Sequence, residues 1–311
     1  MNVVKGFKWT KGMSVNELVK AMENMGFQSS EIARAANAII RMKKASAKIF
    51  LTFTSNMVTS GLRELFAQQI KLGLADAVIT TVGAIEEDIM KATGEKFILS
   101  SYHSDDVALH EKGVNRVGNL LIRNESYERF ESLMESFLSK AYKIKHRMSV
   151  AELLRFIGSQ LNDEDSILYQ AYKKNIPIFC PAITDGAFGF HLFMFQQDHK
   201  DFVVDVIQDF RDLITFTTYD DRKGVIALGG GVSKHHAIFG SLLNGGMDYA
   251  VYITTARAFS GSLSGATTQE AKSWGKIKDD ADAATVIGEA TVIYPLVMTR
   301  VFEELSKEGL L

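Results

Sequence analysis

The chain is poor in the residues that staple a fold, bind zinc or cross a bilayer. Cys180 is the only cysteine among 311 residues, so an internal disulfide and a multi-cysteine zinc site are both excluded, and no metal site is expected. Neither sign of charge dominates. A net charge of -2 gives no reason to expect nucleic acid or an anionic membrane as partner. No apolar run is long enough to cross a bilayer. The opening Met1-Asn2-Val3-Val4-Lys5 lacks the apolar stretch of a signal peptide. With one cysteine, the expectation is a reducing, cytoplasmic setting. What is abundant is apolar. The chain is 46% hydrophobic and long enough to bury a sizeable core, in one large domain or two small ones. A disordered chain would be poorer in apolar residues and more one-sided in charge.

Ser14-Val15-Asn16-Glu17 reads as a capping box that opens a short helix ending by Gly26. A second helix follows Ser29 or Ser30, with Ile32, Ala35, Ala36, Ile39 and Ile40 on one face. At Lys48 the pattern changes. Ile49–Phe53 reads as a buried strand, followed by Thr54-Ser55-Asn56 and a helix to about Lys71. Ala77–Thr80 is the next strand, and Thr81-Val82-Gly83 turns into a helix carrying Glu86 and Glu87. A more irregular, helical stretch covers about 95–170. The rhythm then returns with strand candidates at Ile176–Cys180, Gly224–Leu228 and Tyr249–Ile253. Val203, Val206, Ile207, Phe210 and Ile214 recur at helical spacing, and a last helix runs from about Thr291 to Lys307 with Pro295 near its start. Alternating strands and helices imply an α/β fold, a Rossmann-like parallel sheet with helices on both faces. The expected division is a helical N-terminal extension over 1–47 and one α/β domain over 48–311.

In such sheets ligands bind beyond the carboxyl ends of the strands. Four strand ends are rich in small and polar residues: Thr54-Ser55-Asn56, Thr80-Thr81-Val82-Gly83, Thr184-Asp185-Gly186 and Gly229-Gly230-Gly231. A nucleotide across these ends fits, since small residues let a ligand approach the backbone and helix starts attract phosphate. The glycine run misses the last position of GxGxxG, however, and a tight turn with no ligand stays open. Glu86-Glu87-Asp88 near a helix start reads either as a solvated, dipole-matched cluster or as a cation site. His235-His236 face different ways on a helix and make a poor metal pair, although one of them could serve as an acid or base. By itself Lys276 reads as a surface lysine. The stretch from Phe259 to Trp274 has no clear period, and long loops in compact domains are usually functional or disordered.

Taken together, these segments resemble the deoxyhypusine synthase family over nearly the whole length. The resemblance is carried by Thr54-Ser55-Asn56 with Ser60–Glu64, Thr80-Thr81 with Gly83 and Glu86-Glu87-Asp88, Val114–Leu121, Pro181–Gly186, Leu228–Val232 with Lys234-His235-His236, and Ser273–Ile277. The short form is similar to archaeal members. The resemblance implies a Rossmann-like NAD fold, a homotetramer of tight dimers with sites at the dimer interface, and transfer of the aminobutyl group of spermidine to one lysine of the translation initiation factor 5A precursor. It makes Lys276 the nucleophile that carries the group as an imine, and His235 the residue that takes a proton from the amine. A lysine must lose its proton to attack, which burial or a neighbouring cation favours. Trp274 would line the amine channel, and Glu86, Glu87 and Glu270 would face the polyamine. For NAD it implies Ser55, Asn56 and Thr59, then Thr81, Val82 and Gly83, then Asp185, Gly230, Thr255, Ala256, Glu289 and Ala290. The sequence departs from eukaryotic members at Phe190 and Leu263, where they carry aspartates, at Ser260 for an acidic residue, and at Glu289 for an aspartate. The two lost carboxylates bear on which amine is used. Two alternatives stand beside this reading: transfer to putrescine, as in a homospermidine synthase, and a weakly active regulatory paralogue.

Overall fold

A computed structural model describes residues 3–311. In chain order it begins with α1 (Val15–Met22), α2 (Gln28–Lys44), β1 (Lys48–Phe53), α3 (Ser55–Thr59), α4 (Arg63–Lys71), β2 (Ala77–Thr80) and α5 (Val82–Ala92). Next come β3 (Ile98–Leu99), α6 (Asp106–Glu111), β4 (Val114–Val117), β5 (Leu120–Arg123), α7 (Asn124–Ile144), β6 (Arg147–Ser149), α8 (Val150–Gln160) and α9 (Ile167–Lys174). The chain continues through β7 (Ile178–Phe179), α10 (Ala187–Asp198), β8 (Val203–Asp205), α11 (Val206–Thr215), β9 (Lys223–Leu228) and α12 (Gly231–Gly240). It ends with β10 (Met247–Thr254), α13 (Thr268–Lys272), β11 (Ile277–Ile287) and α14 (Ala290–Lys307). Among the described residues no helix is long and apolar enough to cross a membrane.

Contacts group the chain into two compact units. The first comprises the residues through Phe53, Leu72–Ile79 and Asp212–Leu311. Its sheet runs in the order β11-β10-β9-β1-β2. The pairs β1–β9, β9–β10 and β10–β11 are parallel, with Thr52 opposite Ala227 and Ile253 opposite Leu228. β1 and β9 are buried almost throughout, as apolar strands covered on both faces must be. α2 packs on this sheet through Ala33, Ala35, Ala36, Ile39 and Ile40, and α14 packs on α2. Small side chains let the layers close in, and Gly224 leaves no room for a Cβ, which would meet Met42 Sδ at 2.8 Å. The expected capping box is present at Ser14 and Glu17, and Arg300 ties α1 and α2 to α14 through Asn16 and Asn37.

β11 was not expected. Its sequence, IKDDADAATVI, is polar and half exposed, as an edge strand can be. Arg41 pairs with Asp282, and Arg34 donates to the Ala283 carbonyl, so α2 arginines guard that edge.

The second unit is Thr54–Lys71 with Thr80–Arg211. It packs α3 on α5, α4 and α8 on α9, and α7 on α10. The helix expected to run unbroken to Lys71 is split into α3 and α4, because Gly61 takes a φ of 102 that only glycine adopts readily. Within the stretch expected to be helical lie a small antiparallel sheet in the order β3-β5-β4 and the strand β6, which pairs in parallel with β8 further along the chain. These strands have two to four residues each, too few to print a period of two on the sequence.

Candidate functional site

In the first unit the loops after β9, β10 and β11 leave the same edge of a parallel sheet. They hold Gly230, Thr255 with Ala256, and Glu289 with Ala290. Gly229 N–H donates to Ile253 O and Gly288 N–H to Thr254 O, which stitches these turns together. Gly230 is required by packing, since a Cβ there would lie 2.3 Å from Ser264 Cα. The side chain of Ser264 in turn accepts from Gly231 N–H at 2.9 Å. Gly231 has φ 64 and open space around it. Gly230 offers no side chain of its own to cap α12, so beyond the Ser264 contact the start of the helix is uncapped, and Ser233 in its first turn is buried with its hydroxyl unpartnered. Free N–H groups, an orphaned hydroxyl and an open glycine are what an anionic phosphate would occupy. Glu289 caps α14 by accepting from Val292 N–H at 3.2 Å and from Thr291.

Behind this edge lies a small cavity of about 20 Å³, room for one water-sized group, lined in part by Lys234, Tyr252, Leu263, Glu270, Trp274 and Lys276. Lys276 follows Gly275, whose φ of 66 turns the chain from α13 into β11. That turn buries Lys276 to 7% exposure, so the surface-lysine reading does not hold. Its Nζ lies 3.2 Å from His235 Nε2 and 5.0 Å from the Trp274 ring centroid. His235 stacks on Phe239 at 5.5 Å. Burial, then Lys276, then Lys234 push the His235 pKa down, so the imidazole stays neutral and Nε2 can accept a proton from Lys276. His236 faces elsewhere and is held down to about 4, chiefly by burial. Glu270 sits in the first turn of α13, which Thr267 caps. The segment from Phe259 to Trp274 is therefore partly helical, and it builds one wall of the cavity.

Two residues here were not singled out from the sequence. Lys234 is buried, donates to the Ala266 carbonyl at 3.0 Å, and lies 4.5 Å from the Tyr252 ring centroid. Burial takes its pKa down to about 8. Tyr252 is buried with its hydroxyl unpartnered. A lysine in the first turn of the helix that follows a glycine run was the available signal for the first, while a tyrosine inside an apolar strand gives none.

In the second unit, α3, α5 and the start of α10 gather the remaining candidates. Ser55 N–H donates to Thr81 Oγ1 at 3.0 Å, and Gly83 leaves room for Ser55, whose Cβ would lie 2.9 Å from an added Cβ. Asn56 Oδ1 accepts from Thr54 at 2.6 Å, and Val82 is buried beside Gly83. Glu86, Glu87 and Asp88 are all buried, so the solvated reading of this cluster is overturned. Glu86 accepts from Phe188 N–H at 2.7 Å, at the start of α10 just beyond Asp185. Gly186 permits this approach, since an added Cβ would lie 2.5 Å from Glu86 Oε1. Burial outweighs these N–H groups and raises the Glu86 pKa. Glu87 meets the Thr59 hydroxyl at 2.6 Å, and burial raises its pKa to about 7. Asp88 is a structural group. It binds Arg63 Nε at 2.6 Å, Ser166 Oγ at 2.9 Å and the N–H groups of Ile167 and Leu168. Of the substituted positions, Leu263 lines the cavity of the first unit, while Phe190 on α10 is exposed.

The fold is a Rossmann-like α/β fold, and the first unit holds a buried lysine against a neutral imidazole. The family model for deoxyhypusine synthase matches residues 17–301. A probable deoxyhypusine synthase of Halobacterium salinarum is 39% identical over 304 residues, covering 96% of this chain and 92% of that protein. The deoxyhypusine synthase of Kluyveromyces lactis is 35% identical, with 96% and 92% covered. A crystal structure assigned to deoxyhypusine synthase of Entamoeba histolytica superposes with a TM-score of 0.70 at 31% identity, covering 96% of this chain and 97% of that one. The chain belongs to the deoxyhypusine synthase family.

Proposed function

We propose that the chain moves the aminobutyl group of spermidine onto one lysine of the translation initiation factor 5A precursor, with NAD as cofactor and an imine on Lys276 as the carrier. The observation that carries this reading is the buried contact of Lys276 with His235 beneath Trp274. NAD, when bound, supplies a reversible hydride acceptor, which the net redox-neutral transfer requires. Gly231, Ser233, Thr255, Ala256, Glu289 and Ala290 of the first unit are assigned to it, as are Ser55, Asn56, Thr59, Thr81, Val82, Gly83 and Asp185 of the second. Gly230 is assigned to holding the Ser264 loop in place for it.

His235 accepts the proton that Lys276 sheds, and the freed Nζ lone pair attacks the imine carbon of the substrate. The released 1,3-diaminopropane leaves the butylamine part on Nζ. The indole face of Trp274 and the Glu270 carboxylate attract the substrate's ammonium groups, and Glu86 and Glu87 are assigned to the same polyamine. Leu263, Ile238 and Ala266 give the cavity an apolar wall, which disfavours hydrolysis of the imine. A cytoplasmic homotetramer and a helical extension over 1–47 are part of the proposal.

Intact-mass spectrometry of the acceptor tests the reading. With NAD, spermidine and the factor precursor present, one aminobutyl addition on a single lysine is expected, and omission of any component should abolish it. Lys276→Arg should fail as well, because a guanidinium stays protonated and cannot form the imine. Homospermidine formed from putrescine, with no modified factor, would overturn the assignment of the acceptor.

A further inference from the structure

α5 carries two adjacent carboxyl groups in unlike surroundings. Glu86 takes the Phe188 N–H at the start of α10, a place for an anion. Glu87 is 8% exposed, and among the described residues its hydrogen-bond partner is the Thr59 hydroxyl. That hydroxyl lies 2.8 and 2.6 Å from the two Glu87 oxygens and 3.1 Å from the Ser55 carbonyl oxygen. One hydroxyl proton cannot serve three acceptors. With a proton on Glu87 the count closes. The carboxylic O–H donates to Thr59 Oγ1, and Thr59 donates to Ser55 O, the usual back-bond of a helical threonine.

The other charged groups around Glu87 do not reverse this. Lys91, one turn along α5, spends its ammonium on Val58 O at 2.7 Å, and burial lowers its own pKa. Arg63 is held by Asp88 and Asp163, and Glu64 stands with it near Lys91. Burial first, and the two glutamates after it, make Tyr127 of α7 hold its proton more tightly. Glu86 repels a second negative charge, and two buried neighbouring carboxyls hold one proton between them more readily than none.

We infer that Glu87 is a neutral carboxylic acid in the amine-free protein and releases its proton to solvent when a cationic amine binds against it, so that amine uptake is proton-linked. The inference rests on the assignment of Glu86 and Glu87 to the polyamine. The balance is simple. A carboxylic acid and an ammonium ion give a carboxylate–ammonium pair and one free proton, with no change of oxidation state. Below about pH 7 the affinity for amine falls about tenfold per pH unit, and above it the dependence flattens.

Calorimetry of spermidine binding to the full chain with NADH, which cannot accept hydride, in two buffers of unlike ionisation enthalpy, reads the released proton. About one proton per spermidine is expected near pH 6 and almost none near pH 8.5. Glu87→Gln should remove that difference. Binding without proton release at the lower pH, or the same release in Glu87→Gln, overturns the inference. If no spermidine binds, the functional reading fails instead. Glu87 is then judged in the free protein, by infrared difference spectra of wild type against Glu87→Gln. A carboxylic C=O band lost in the variant near pH 6 sustains the neutral acid, and its absence rejects it.

Discussion

Substituting Asp88 by asparagine tests how the second unit fixes its functional helix. Asp88 Oδ1 accepts from Arg63 Nε at 2.6 Å and Ile167 N–H at 3.1 Å, while Oδ2 accepts from Ser166 Oγ at 2.9 Å and Leu168 N–H at 2.8 Å. All four partners are donors. Asparagine keeps the size but turns one oxygen into a second donor. Ser166 can rotate and accept, so the amide nitrogen settles on that side and leaves Leu168 N–H without a partner. Arg63, itself buried, keeps the half-buried Asp163 at 2.6 Å and the exposed Glu64 at 3.7 Å as weaker-placed countercharges. Breaking one member of a buried pair costs about 3–5 kcal/mol, and an unpaired buried N–H costs about 1–3 kcal/mol, overlapping rather than adding to it. The expected loss is about 4 kcal/mol in denaturant unfolding followed by circular dichroism. Arg63→Met should cost a similar amount, and the double variant should cost clearly less than the sum, because no uncompensated charge remains. If Asp88→Asn stays within about 1 kcal/mol of wild type, the cluster is not the anchor described here.

Three further outcomes follow from the same geometry. His235, whose pKa is lowered by burial first and by Lys276 second, should titrate at higher pH in Lys276→Met, yet stay below the reference of about 6.5; NMR of the imidazole checks this. At saturating spermidine the transfer rate in wild type should accordingly fall on the acid side only below about pH 6.5, where His235 gains a proton. Gly230→Ala pushes a methyl group into Ser264 Cα at 2.3 Å; displacement of the loop should lower the transfer rate at least about tenfold, read by intact-mass spectrometry of the acceptor. Glu87 binds its proton more tightly folded than unfolded, so its contribution to stability is present below about pH 4.3 and is lost as the pH rises to about 7. Glu87→Gln should therefore stabilise the protein more at about pH 8 than at about pH 5, by up to about 3 kcal/mol.

The parts of the fold that were legible are those where one physical demand controls the sequence. β1 and β9 are buried on both faces, so every position is apolar and the strand stands out. The start of α1 shows because its cap is local, four residues that satisfy one another. β11 was hidden for the opposite reason. It is an edge strand whose acidic residues are held by Arg41 and Arg34 from α2, more than two hundred residues away. Tertiary contacts, not strand propensity, keep it in place. β3, β4 and β5 were too short to show a period at all.

Glu86, Glu87 and Asp88 show how far residue types carry and where they stop. Three acidic residues in a row in the middle of a helix give no hint of three different fates. A helix turns by about 100° per residue, so neighbours in sequence point into different surroundings. Asp88 turns to Arg63 and the start of α9 and becomes a structural anion. Glu86 turns to the start of α10, where N–H groups stabilise its charge. Glu87 turns to a single threonine hydroxyl, which can hold a carboxylic acid as well as a carboxylate. None of this is written in the acidic run. It is set by Arg63, Phe188 and Thr59, which stand 25, 102 and 28 residues away from the carboxylates they meet. The same holds for Lys276, a residue with no distinguishing neighbours in the sequence until His235, 41 residues earlier, is folded against it. Chemistry at both places comes from pairings across the chain, so the resemblance to a family could point to these residues where pattern and spacing could not.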